Sequence, residues 1–106
     1  MSDVGPVLAA LADPTRRGMV EAALRDGTTS VPALAAALPI SRQAVAKHLA
    51  TLADAGLMER VSGGAGREVR YRLRPGALRP ASEWIRATEE AWDGRLARLK
   101  RSVESP

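Results

Sequence analysis

The chain of 106 residues has no cysteine, no phenylalanine and a single histidine. Without cysteine there are no disulfides and no thiolate metal sites, and one histidine cannot supply the several nitrogen or sulfur ligands that a stable transition-metal site needs. No apolar run approaches the ~18 residues of a transmembrane helix. The N-terminus MSDVGPV also lacks the basic and apolar segments of a secretory signal, so we expect a cytoplasmic protein.

A catalytic set is missing as well. Any Ser/His/Asp arrangement would depend on His48 alone. The glycine-rich segment SGGAGR, at residues 62–67, lacks the Gly-Lys-Ser/Thr ending of a phosphate-binding loop, and its glycines suit the tip of a hairpin. We therefore expect neither an enzyme nor a bound cofactor.

What is present is a small, basic, alanine- and arginine-rich chain whose length suits one domain. Residues 41–74 contain seven Lys/Arg and three Asp/Glu, whereas residues 1–40 contain three and four and residues 75–106 contain six and five. The excess positive charge of +4 therefore lies in the middle third. A local basic surface favours a polyanionic partner, and a solubilising arginine surface is the alternative.

Capping residues and apolar spacing predict the order of elements. A short helix over VLAALA ends before Pro14, a second begins after Asp13 and ends at Gly27, and a third follows Ser30. After a tight turn, a fourth runs from Ser41 to about residue 55. The segment TTS (28–30) is compatible with a short strand, LMERVS and EVRYRLR form a hairpin, and a long amphipathic helix covers about 81–103. This layout predicts a mainly α fold with a small β-hairpin (α+β), a winged helix-turn-helix of five or so helices plus the wing.

The fourth helix, within ISRQAVAKHL and the residues after it, has two distinct faces. At ~100° per residue, one face is an apolar stripe of Val45, Leu49 and Leu52. The opposite face carries Gln43, Lys47, Ala50 and Asp54, and Arg42 and His48 flank the stripe. Arg and Gln can pair with base edges, alanine methyls can meet thymine methyls, and Lys and Ser can hold phosphates. An ordinary amphipathic packing helix is the alternative.

The segments ALADPTRRGMV, SRQAVAKHLATLADAGLMERV and GREVRYRLRP resemble the ArsR/SmtB-type transcriptional regulators over roughly residues 6–75. The resemblance implies a homodimeric winged helix whose fourth helix enters the major groove of operator DNA, with the wing along the backbone or minor groove. It implies DNA contacts within residues 41–48 and at the wing tip. The predicted DNA-binding residues are Ser41, Arg42, Gln43, Ala44, Lys47, His48 and Arg67. In many relatives a serine occupies the position of Ala46 and a glycine that of Pro39.

Metal sensors of this family use cysteines on the helix before the recognition helix, or Asp, His and Glu on the last helix. Here the former, SVPALAAAL, offers no ligand. The last helix has no histidine, and its carboxylates are typical of a solvated face: Glu83, Glu89, Glu90 and Asp93. The chain thus resembles the subgroup that lacks metal ligands. The W-x(7)-W-x(3)-L-x(2)-L pattern of its last helix resembles the same subgroup.

The last helix carries an apolar stripe at helical spacing: Trp84, Thr88, Ala91, Trp92, Leu96, Leu99 and Val103. Exposed, such a stripe exceeds what a monomer usually shows. We predict a dimer interface in which Leu8 and Leu11 of the first helix join Trp84, Thr88, Trp92, Leu96 and Leu99. A two-fold dimer predicts an operator that is an inverted repeat. We also expect the regulator to be a repressor. The alternatives are a helix folded back on its own domain and a winged-helix module that binds a partner protein through this stripe.

The single histidine and two early arginines each have more than one interpretation. His48 either packs at the rim of the core with a hydrogen bond or reaches a DNA phosphate or the wing; a metal ligand is a remote third. Arg16 and Arg17 offer phosphate contacts, although a structural salt bridge is favoured for at least Arg16.

Overall fold

The computed structural model describes residues 3–61 and 68–104. In chain order the elements are α1 (Gly5–Leu11), α2 (Pro14–Asp26), α3 (Val31–Ala37), α4 (Arg42–Asp54), β1 (Met58–Val61), β2 (Arg70–Leu73) and α5 (Arg79–Glu104). The predicted fold class, helices with one hairpin, is therefore confirmed. Among the residues described, no helix is both long and apolar enough to span a membrane.

The first four helices and β1 enclose one core. Met19, Leu49 and Leu52 are fully buried there, together with Leu57 at the entry to the hairpin. The predicted caps hold these helices in place: the Asp13 carboxylate accepts a hydrogen bond from the Arg16 backbone N–H at 2.9 Å. Ser30 does the same for α3, its hydroxyl accepting from the N–H of the third residue of that helix at 3.2 Å. Capping side chains thereby satisfy N–H groups that have no partner within the helix.

The hairpin is antiparallel, with a register that runs from Met58 opposite Leu73 to Val61 opposite Arg70. Thr29 adds a single bridge to its other edge, exchanging two backbone hydrogen bonds of 2.8 Å with Tyr71. The predicted strand at 28–30 is thus one bridge rather than a strand. The predicted glycine-rich tip and Arg67 lie outside the described residues.

Helix α5 extends away from this core. Its 26 residues span about 39 Å at 1.5 Å per residue, and the molecule measures 72 × 27 × 22 Å. Only Ala81 in its first turn is buried. The alternative of a helix folded back on its own domain is therefore wrong.

Candidate nucleic-acid interface

The exposed beginning of α4 is the centre of the candidate interface. Ser41 is the N-cap, and its hydroxyl accepts a hydrogen bond from the Ala44 N–H at 3.1 Å. The cap fixes the direction in which the helix starts, and the N-terminal end of a helix attracts anions because its free N–H groups and dipole are positive.

The faces predicted for α4 are confirmed. Val45, Leu49 and Leu52 each have no exposed surface, whereas Arg42, Gln43, Lys47, Ala50 and Asp54 are all exposed. The buried stripe anchors the helix, so the polar face has a fixed orientation. Within residues 3–61 and 68–104, the Arg42 and Lys47 side chains make no hydrogen bond or ion pair. Two cations and one amide are therefore presented to solvent over about a turn and a half.

His48 and Ala44 differ from these residues because they are half-buried. The Nδ1 atom of His48 lies 3.4 Å from Nη1 of Arg16, across the boundary between α4 and α2. This position agrees with the interpretation of His48 as a residue at the rim of the core. Its contact with DNA, and that of Ala44, stay predictions.

Arg16 joins three elements through one guanidinium group. Its Nε donates to the carbonyl of Ala10 at 2.8 Å and its Nη2 to the carbonyl of Ala9 at 3.2 Å, while Nη1 faces His48. Arg17 donates in the same way to the carbonyl of Leu11 at 2.9 Å. The salt bridge predicted for Arg16 is thus wrong: among the described residues its guanidinium group pairs with no carboxylate and instead donates to backbone carbonyls near the C-terminal end of α1.

Asp13 is the titratable group affected by this junction. The backbone N–H of Arg16 stabilises its carboxylate and lowers its pKa, with smaller contributions from the Arg16 and His48 charges. Burial acts in the opposite direction and does not cancel the effect. The carboxylate is therefore ionised in the folded protein well below neutral pH.

The wing carries two arginines that are already engaged. Arg70 donates to the Glu68 carboxylate at 2.8 Å and to the Thr28 hydroxyl at 2.7 Å. Arg72 donates to the Glu59 carboxylate at 3.2 Å. These surface pairs hold the two arginines along the hairpin, so their charges are partly compensated, unlike those of Arg42 and Lys47 on α4.

In the described part of the chain, no group of three or more His, Asp or Glu side chains is arranged to hold a metal ion.

The predicted interface of α5 is exposed along its length: Trp84, Trp92 and Leu99 have 50%, 57% and 60% of their surface accessible. Sequence reasoning missed Ile85, which is 46% exposed and adjoins this stripe. Its spacing of three residues from Thr88 and seven from Trp92 was the available signal.

Three comparisons with known proteins bear on the identity of the fold. A family model described as a helix-turn-helix domain matches residues 11–61, from the end of α1 through β1. The comparison with curated proteins gave no significant match.

Solved structures match over most of the chain. An ArsR-like transcriptional regulator from Rhodococcus sp. RHA1 is 40% identical, covers 97% of this chain and 94% of its own, and has a TM-score of 0.83. A possible transcriptional regulator for arsenical resistance is 36% identical, with coverages of 90% and 93% and a TM-score of 0.63. The AntR antimony-specific transcriptional repressor is 32% identical, with coverages of 85% and 83% and a TM-score of 0.55.

The helix-turn-helix match, the wing and these similarities agree with one another. They describe proteins that regulate transcription by binding DNA and that are not enzymes. The chain belongs to the ArsR family of winged helix-turn-helix transcriptional regulators.

Proposed function

We propose that the protein is a dimeric cytoplasmic repressor that binds an inverted-repeat operator through the beginning of α4 and responds to no metal. The observation that carries the proposal is the capped, exposed N-terminal half of α4. There Arg42, Gln43 and Lys47 face solvent while the apolar stripe is fully buried. Arginine and glutamine recognise guanine and adenine edges in the major groove, and Lys47 and Ser41 bind the flanking phosphates.

The dimer is supported by the apolar stripe of α5. Its exposed side chains include Trp84, Ile85, Trp92, Leu96, Leu99 and Val103. Thr88 does not interrupt the stripe, because its hydroxyl donates to the Trp84 carbonyl at 2.7 Å within the helix. The exposed apolar area is on the order of several hundred Å², approaching the ~800 Å² that each partner contributes to a stable interface.

Leu8 and Leu11 of α1 extend this interface in the proposal. Both are half-buried and pack against the core, leaving part of each side chain accessible. A two-fold dimer of this kind places two α4 helices about 34 Å apart, one turn of DNA.

The operator can be found by selecting DNA fragments with the purified protein and footprinting the region upstream of its own gene. We expect one inverted repeat whose half-sites lie one helical turn apart. An added zinc salt should leave the affinity for that repeat unchanged. Selection of no sequence, or of a single unrepeated half-site, would contradict the proposal.

A second candidate is a module that binds a partner protein through the exposed stripe of α5. The salt dependence of binding distinguishes the two functions. Operator binding by a basic dimer should weaken by orders of magnitude between about 50 and 200 mM salt, because phosphate contacts release counterions. An apolar protein interface should change little over the same range.

A further inference from the structure

The exposed face of α4 ends with a negative charge. Asp54 is the last residue of the helix and its only carboxylate, and the residue is exposed. Among the residues that the structure describes, the Asp54 side chain forms no ion pair and makes no hydrogen bond. No described side chain therefore pairs with this carboxylate.

The charge of Asp54 does not stabilise the helix. The C-terminal end of a helix is the negative end of its dipole, so a cation there is stabilising and an anion is not. The last turn of α4 contains no basic residue that would offset the carboxylate. Arg16 lines the same cleft between α1 and α4 as Asp54, but its guanidinium donates to the carbonyls of Ala9 and Ala10. Helix stability and ion pairing therefore do not explain a carboxylate at this position.

Asp54 lies in the same row of side chains as two of the proposed DNA contacts. Gln43, Lys47, Ala50 and Asp54 follow one another at intervals of four, three and four residues, which places them on one side of the helix. All four are exposed. Along the axis, Asp54 lies about 10 Å beyond Lys47 and about 16 Å beyond Gln43. One exposed row therefore begins with groups that suit DNA and ends with a group that phosphates repel.

The proposed dimer uses a different side of α1 from the one that borders Asp54. Pro6 and Ala9 of α1 line the cleft with Asp54. Leu11, which belongs to the proposed interface, is two residues from Ala9, so the two side chains point about 160° apart around the axis of α1. An interface through Leu8 and Leu11 is therefore not built on the side of α1 that borders Asp54.

We propose that the Asp54 carboxylate repels DNA phosphates and confines DNA contact to the beginning of α4, which makes Asp54 a determinant of specificity. Binding to unrelated DNA depends on phosphate contacts, and no base contact then holds the start of the helix in the groove. The far end of the row can approach the backbone, where the carboxylate opposes binding. On the operator, base contacts of Arg42 and Gln43 hold the start of the helix in place. This role rests on the proposed function, because it requires α4 to be the recognition helix.

The test compares D54N with the unmodified chain in binding to the selected operator and to an unrelated duplex of the same length. The substitution keeps the size of the side chain and removes its charge. We expect the Kd for unrelated DNA to fall about two- to fivefold at about 0.1 M salt, as for one charge removed within a screening length of a phosphate. The Kd for the operator should change less. The gain should diminish as the salt concentration rises, and D54K should give a larger gain than D54N.

The matched control is E90Q, which removes the same charge from the polar side of α5 and should leave both affinities unchanged. Unchanged binding of unrelated DNA by D54N, or an equal gain in E90Q, would overturn the proposed role of Asp54. So would an equal gain for both duplexes, or a loss of operator affinity, because Asp54 would then act as a general charge or contact a base. A shift of D54N toward monomer in sedimentation would overturn it too, since Asp54 would then lie in the dimer interface.

K47Q separates the role of Asp54 from the proposed function. If α4 is the recognition helix, K47Q should weaken binding to both duplexes, whatever the effect of D54N. Weaker binding by K47Q with no change in D54N would overturn the role of Asp54 alone. Unchanged binding by K47Q would overturn the proposed function and the role of Asp54 together.

Discussion

Helices α4 and α5 carry apolar stripes of the same kind, but the stripe of α4 is buried and that of α5 is exposed. On α4 the stripe residues Val45, Leu49 and Leu52 are fully buried, whereas on α5 Leu96 and Leu99 keep 42% and 60% of their surface exposed. Periodicity therefore predicts that a helix has an apolar face and does not predict what covers it. Helices α1–α3 pack against α4, whereas Ala81, in the first turn, is the only residue of α5 that is buried.

The largest expected difference between the two stripes is in the folding of the chain. Leu49→Ala should lower the free energy of unfolding by about 3 kcal/mol or more, because it leaves a cavity in a closed core. The same substitution at Leu99 should leave the unfolding of a dilute monomer almost unchanged. Urea denaturation at low protein concentration measures both. Equal losses would mean that α5 is covered by its own chain.

A smaller effect is expected on association. Trp92→Ala removes the central aromatic side chain of the α5 stripe and should weaken the proposed dimer by about 2 kcal/mol or more, near thirtyfold in Kd. Sedimentation over a concentration series measures the shift toward monomer. Glu90→Ala, on the polar side of the same helix, is the control. A dimer unaffected by Trp92→Ala would show that the stripe is not its interface.

On α4 the outward face should govern DNA recognition and nothing else. Replacing Arg42 and Gln43 by alanine should remove about 1–3 kcal/mol of discrimination for each base that these side chains recognise. Stability and dimerisation should stay unchanged, since both side chains are exposed. Competition between the selected operator and unrelated DNA measures the discrimination. Unchanged sequence preference would sink the assignment of α4 as the recognition helix.

The smallest expected effect concerns the junction that positions α4. Because the folded protein lowers the pKa of Asp13, its ionisation adds stability above the ordinary aspartate pKa of about 3.9. That contribution is lost as the pH falls through the lower pKa of the folded state. Asp13→Asn keeps an oxygen that can cap α2 but does not titrate. The difference in the free energy of unfolding between the unmodified chain and Asp13→Asn should therefore shrink in urea titrations from pH 6 to pH 3. A constant difference would contradict the role of the charge.

The features that sequence predicted well are local ones. The caps Asp13, Ser30 and Ser41 and the faces of α4 follow from side chains within a few residues of each other, so spacing alone determines them. The alternation of β1 and β2 predicted the hairpin, and its position after α4 indicated the winged fold.

Features that join distant segments could not be predicted in the same way. Arg16 lies 32 residues from His48, and its other partners are backbone carbonyls, which leave no mark in the sequence. The single bridge between Thr29 and Tyr71 likewise depends on where the hairpin places Tyr71. For α5 the sequence pattern did not distinguish a helix folded back on its own domain from a dimer interface. What buries an apolar stripe depends on surfaces outside that helix.

The guanidinium of Arg16 has a consequence for geometry. It donates to the Ala9 and Ala10 carbonyls of α1 and lies beside the ring of His48 on α4, so one planar group with fixed donor directions helps to fix the angle between those two helices. A lysine at this position has a single side-chain nitrogen and cannot reach all three partners. In the proposed dimer, where α1 contributes to the interface, the separation of the two DNA-reading helices is thereby linked to hydrogen bonds inside each protomer. Half-site spacing is then encoded partly by a side chain that touches neither the DNA nor the partner.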